Sequence, residues 1–173
     1  MDLPEVWLRG PIANIPGLLQ PVSHALLQSG EEVEKLMLEF PVNKLWLRPA
    51  GVASVGFHLQ HLAGVLDRLF TYARRESLAP QQLKALQSEG KPSVPELTPP
   101  EMVQRFQDQI KKSLAQLENT KEETLLQSVD VGRKKLPSTV LGLLFHAAEH
   151  TQRHTGQLLV TVRILTMSNE QFF

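Results

Sequence analysis

Histidine is the residue type whose number and spacing in this chain could do chemistry. Three of the six histidines, His146, His150 and His154, follow one another at intervals of four in GLLFHAAEHTQRHTGQ, residues 142–157. A spacing of four returns a helical side chain to nearly the same face, so one helix can offer two neighbouring imidazoles to one cation. Leu143, Leu144, Ala147, Leu158 and Val162 recur beside them at helical period and mark a buried stripe. Two adjacent imidazoles against such a stripe are costly to bury unless they share a partner. The stretch therefore reads as one wall of a metal site, with the missing ligand on another helix.

At about 100° per residue, His154 and His150 fall nearer the apolar arc than His146, which lies toward its rim. A catalytic zinc site uses three protein ligands and leaves one position free, so a third donor is needed. His58 and His61 stand three residues apart in VASVGFHLQHLAGVLDRLFTYARR. The same wheel slightly prefers His58, and on that ground alone His61 is not selected. Two named patterns do not fit. His146-Ala147-Ala148-Glu149-His150 matches H-x-x-E-H, the inverted zinc-protease signature, but only 23 residues follow His150 to supply its further ligand. A di-iron bundle needs Glu-x-x-His pairs, and no glutamate here has a histidine three residues on.

Four apolar stripes of helical period position these residues, near 22–39, 52–75, 99–118 and 138–165. Thr98-Pro99-Pro100-Glu101 is a helix start of capping-box type. Residues 80–88, PQQLKALQS, form a further short helix. Trp46 and Leu47 are expected to be buried in the connector before helix two. Gly30 interrupts the first stripe at about 1 kcal/mol relative to alanine, with no reason visible in the sequence. Residues 118–136, with Arg133-Lys134-Lys135, read as a solvated loop, and Pro137-Ser138 as the opening of the last helix. Four prolines in residues 1–21 predict an extended arm, packed on the bundle through Trp7, Leu8, Ile12, Ile15, Leu18 and Leu19. The tail is expected to fray or to pack by Phe172 and Phe173. The whole reads as one all-α domain spanning 1–173, without strand alternation or internal repeats.

With 173 residues, the chain can bury a sizeable core. The absence of cysteine excludes disulfides, thiolate ligands and a cysteine nucleophile, so any thiol must arrive with the substrate. Eighteen basic and 18 acidic residues cancel, which gives no electrostatic case for nucleic acid or an anionic membrane. With no signal-like N-terminus and no apolar run of about 20 residues, a soluble cytoplasmic protein is expected.

VGFHLQHLAGVLDRL followed by LLFHAAEHTQRHTGQL resembles the DinB superfamily of four-helix bundles, close to its YfiT-like branch. The resemblance implies an up-down-down-up bundle with a long crossover after helix two, which residues 76–100 provide. It also implies a divalent metal held by one histidine early in helix two and a pair on the last helix. The helix-two histidine precedes a Leu-Ala step, here His61-Leu62-Ala63, so the resemblance selects His61 against the wheel's preference for His58. The pair matches His150 and His154 in Glu149-His150-Thr151-Gln152-Arg153-His154-Thr155-Gly156-Gln157. Arg153 replaces a histidine often seen there that is not a ligand.

Related bundles imply a metal-dependent transferase that uses a small cellular thiol, with zinc or nickel as the metal. A metal-dependent hydrolase of the YfiT type and a non-enzymatic, stress-associated metal-binding protein are the alternatives. Three neutral imidazoles leave the ion's charge uncancelled, so that it favours an anionic further ligand such as an ionised water or thiol. Arg68 and Arg153 are candidate donors to a substrate carboxylate, with plain surface exposure as the competing reading. Glu149, Asp67 and Gln157 are candidate acceptors for a ligand's free N–H. His58 and His146 are candidates for a fourth ligand, and His24 is expected on the first helix, away from the site. A homodimeric interaction module is the third functional class, since bundles readily expose apolar stripes.

Overall fold

A computed structural model describes residues 3–167 of the chain. Phe172 and Phe173, the basis of the expectation for the tail, lie outside the described residues. Five helices carry the fold: α1 (Gln20–Met37), α2 (Val55–Ala73), α3 (Pro80–Ser88), α4 (Pro99–Glu118) and α5 (Val140–Thr166). The stripes read from the sequence form one core, with Leu26, Leu62, Leu66, Phe106, Leu144 and Leu158 all at most 1% exposed. Among the described residues no helix is long and apolar enough to cross a membrane.

α1 and α2 lie diagonally opposite, each packed against both α4 and α5. Cross-helix bonds give the directions. Gln152 on α5 donates to the Ala25 carbonyl early in α1, and Lys44, just past α1, donates to the Leu165 carbonyl late in α5. α1 and α5 therefore run the same way. His58 meets His154 and His61 meets His150, so α2 runs against α5. Gln116, late in α4, donates to the Phe70 carbonyl late in α2, which makes that pair parallel. The order is up-down-down-up, and the chain must return along the bundle between α2 and α4. It does so against α2: Gln82 donates to Asp67 Oδ2 at 2.8 Å, and Gln60 holds both Gly90 N–H and the Lys91 carbonyl.

Gly30 now has its reason. A Cβ there would lie 2.9 Å from Ile110 Cδ1 and 3.1 Å from Gln107 Oε1, so glycine lets α1 approach α4 closely. Gln107 also donates to the Gly30 carbonyl. Thr98 N–H donates to Glu101 Oε2 at 2.8 Å, as the α4 start motif predicts.

Several expectations need correction. Residues 118–136 are not simply a loop: β1 (Ser128–Val131) pairs antiparallel with β2 (Leu136–Thr139), and Val129 is buried. Four-residue strands are too short to show a period, and Pro137 conceals the second as an edge strand. Thr139, not Pro137-Ser138, opens α5, accepting the Gly142 N–H at 3.0 Å. α2 begins behind Ser54, whose hydroxyl accepts from Phe57 N–H, and Val52 stays outside at 48% exposed. Leu45, not Leu47, is the buried connector residue, while the Trp46 ring lies so close to Gly56 that a Cβ there would be 2.5 Å away.

The N-terminal arm contains two short 3-10 turns, Val6–Arg9 and Gly17–Leu19, and is not fully extended. Val6 and Leu19 anchor it, whereas Trp7, Leu8 and Leu18 are exposed. Single turns leave only one side chain each to face the bundle.

Candidate metal centre

Two helices and the crossover build the site. On α5 the apolar face is set by Leu144, Ala147, Thr151 and Leu158, all fully buried, and its edge carries His150 and His154 toward α2. The antiparallel neighbour α2 presents His61 and His58 at the same level. One donor atom each from His61, His150 and His154 lies within 4.8 Å of the others. His61 Nε2 and His150 Nε2 are 2.9 Å apart. Two bare ring nitrogens at that distance repel, so a proton or a cation must lie between them. Tetrahedral zinc with bonds of 2.0–2.1 Å would hold them about 3.3 Å apart. The pair need open by only a few tenths of an ångström to fit such an ion.

The far sides of the rings decide which nitrogens are free. His61 Nδ1–H donates to Glu89 Oε2 at 2.8 Å, which leaves His61 Nε2 bare. His154 Nδ1 lies 3.2 Å from His58 Nδ1, and donating its proton there leaves His154 Nε2 bare. His150 Nδ1 is buried without a hydrogen-bond partner. Phe57 stacks on His61, with ring centroids 5.3 Å apart.

Burial, with mutual repulsion behind it, keeps His58, His150 and His154 neutral. Burial, then the neighbouring His61, pushes His58 down to about 4. Burial, then His61, His150, His58 and Arg153, pushes His154 down to about 3. His150 is lowered too, by burial first and then by His61. At neutral pH these rings offer lone pairs, the form a metal needs. Burial opposes ionisation of Glu89, but hydrogen bonds from His61 and Arg68 outweigh it and hold its carboxyl below the ordinary value.

A pH dependence follows for the metal-free protein. His58 and His154 titrate lower folded than their ordinary 6.5, so the unfolded chain binds more protons below that value. Their contribution is complete above about pH 6.5 and is lost as pH falls toward their folded values. His58 alone, 2% exposed, should account for on the order of 2 kcal/mol between pH 7 and 5. Urea midpoints measured across that range should fall, and less steeply in His58→Phe. A flat profile contradicts the assignment.

Arg68 is neither surface-exposed nor available for a substrate carboxylate. It is 7% exposed and donates to Glu89 Oε1 at 2.6 Å. A Cβ on Gly64 would lie 2.7 Å from both atoms of this pair, so glycine makes room for it. Asp67 does not face a histidine, because its carboxylate accepts from Gln82. Glu149 joins His146 Nδ1 at 2.7 Å and Arg153 Nη2 at 2.6 Å on the outer face, and Gln157 is exposed. His58 is buried behind His154, and the half-exposed His146 lies outside the triad. His24 sits on α1 with Nε2 3.0 Å from the Gly10 carbonyl.

This bundle, with its crossover and histidine cluster, has a match among known families: residues 25–158 fit the DinB superfamily. The chain belongs to the DinB superfamily. The DinB family is metal-binding, and this histidine-rich group is one that can bind a metal ion. The DinB fold here is similar to the crystal structure of a conserved protein from Enterococcus faecalis. The two share 25% identity with a TM-score of 0.61, over 84% of this chain and 95% of that one. A comparison with curated proteins gives no match.

Sequence reasoning missed Glu89 in this DinB centre. It stands 28 residues from His61 and reaches it only because α3 docks back along α2. The one available signal was an acid beside a glycine, Glu89-Gly90, at the end of the crossover helix.

Proposed function

We propose that this protein holds a divalent ion, zinc or nickel, on His61, His150 and His154, and uses it to transfer a small cellular thiol to an electrophile. The observation that carries the reading is the gathering of three imidazoles from two helices, with Nε2 of His61 and His150 only 2.9 Å apart. Imidazole suits zinc and nickel. Three protein ligands leave a further position, which separates catalytic from closed structural sites. When bound, such an ion supplies a Lewis-acidic charge that lowers the pKa of a water or thiol entering that position.

The chain's own residues do the rest. Glu89 and His58 fix the ring orientations of His61 and His154. Phe57 covers one face of His61 and limits water access. Arg153, half-exposed beside the centre, can swing from Glu149 to a substrate carboxylate. The cysteine-free chain has no thiol of its own to occupy the position. In the transfer a new bond forms between the thiol sulfur and the electrophilic carbon. The leaving group departs with its electron pair, and the thiol proton passes to solvent.

The test uses the cobalt-loaded protein as a spectroscopic stand-in. Titration with glutathione, bacillithiol or mycothiol should shift the visible bands for at least one thiol, with metal-dependent conjugation of a small electrophile. Metal-dependent amide hydrolysis without any thiol response would replace the transferase with a hydrolase of the YfiT type. Neither response would leave a non-enzymatic metal-binding protein.

A further inference from the structure

A second donor set overlaps the first. His146, Glu149 and His150 also place one ligand atom each within 4.8 Å of one another. They occupy one turn of α5, at i, i+3 and i+4. This set is the more exposed: the side chains of His146 and Glu149 are 47% and 31% accessible, against 14% for His61. His146 Nδ1–H donates to Glu149 Oε1 at 2.7 Å, which leaves its Nε2 as the bare nitrogen.

His150 belongs to both sets, and its ring stands midway. Its centroid is 5.1 Å from that of His146 and 5.2 Å from that of His61. It is also the ring not pinned from behind. Glu89 holds His61 and His58 faces His154, while His150 Nδ1 has no partner. The shared ligand is therefore the one whose Nδ1 no hydrogen bond fixes.

We propose that His146, Glu149 and His150 form an outer capture site, from which a divalent cation passes to the His61–His150–His154 centre with His150 as the ligand kept throughout. This rests on the metal-binding reading above. Glu149 supplies the negative charge that draws a cation to the surface, and His146 adds a nitrogen donor. At rest Arg153 neutralises Glu149 through bonds to both carboxylate oxygens, at 2.9 and 2.6 Å. An arriving cation must displace that guanidinium. Keeping one ligand during the hand-over spares the ion full rehydration between the two positions.

Stopped-flow mixing of the metal-free protein with cobalt(II), followed by visible absorption, tests the route. Glu149→Gln should slow association about tenfold through loss of local electrostatic capture, and His146→Ala by about as much through loss of the nitrogen donor. Arg153→Gln should accelerate it. Because departure uses the same path, dissociation of the His146→Ala protein into excess chelator should slow by the same factor, leaving its equilibrium affinity unchanged. Unchanged rates in both slowing variants overturn the proposal. So does a second ion retained per chain and lost in His146→Ala, which would make the outer set an independent site. If the wild type binds no ion, or binds one without needing His61 and His154, the metal-binding reading itself fails, and the proposal with it.

Discussion

Replacing His61, His150 or His154 by alanine should abolish stoichiometric retention of a divalent ion while leaving the protein helical. Each offers one of three donor atoms lying within 4.8 Å of one another, and a three-ligand site has none to spare. His58 is turned toward His154 Nδ1 and stands outside the triad. Its replacement by alanine removes an outer hydrogen-bond partner, a change that typically weakens a metal site about 10–100-fold. Loss of a ligand should exceed that range, and His146→Ala should leave the equilibrium affinity as it was. Metal analysis after dialysis against a weak chelator, with circular dichroism as the folding control, ranks the variants. Loss of the ion in His58→Ala as complete as in His154→Ala would make the site a closed four-histidine cage and remove the case for chemistry at it.

Glu89→Ala is expected to be among the most destabilising single changes in the chain. Glu89 and Arg68 are both 9% accessible at their side chains and joined at 2.6 Å. Removing the carboxylate leaves the guanidinium buried and unpaired, at about 3–5 kcal/mol. For a chain of this size that corresponds to a fall in Tm of about 6–20 °C. The same change removes the acceptor of His61 Nδ1–H, so metal affinity should drop about 10–100-fold. The two effects can be separated. Arg68→Met combined with Glu89→Leu replaces the pair by apolar groups and should recover most of the stability. It should not recover the affinity, because His61 still has no acceptor. Full recovery of metal binding in the double variant would show that Glu89 acts on stability alone.

The bundle was legible in the local pattern of the chain. Four amphipathic stripes can bury their apolar faces only against one another, and that pattern is local in the chain. It also placed His150 and His154 on one edge of α5, because a spacing of four is fixed by helix geometry. Between His58 and His61 the wheel leaned only slightly to His58, because the two lie three residues apart on α2 and both turn inward. The match of His61-Leu62-Ala63 to a family pattern singled out His61, and the structure sets that residue beside His150.

What the tertiary structure alone decided is every relation that crosses the chain at long range. Glu89 reaches His61 because the crossover climbs back along α2. Arg68 is buried because Gly64 makes room for its ion pair. Gly30 is glycine because α4 passes within contact of it. The hairpin of β1 and β2 forms where the sequence reads as polar loop, since each strand gains its order from pairing with the other and from Val129 against the core. Helical periodicity fixes which face of an element is buried. It carries no information about which distant residue will meet that face, because that depends on the docking of whole elements.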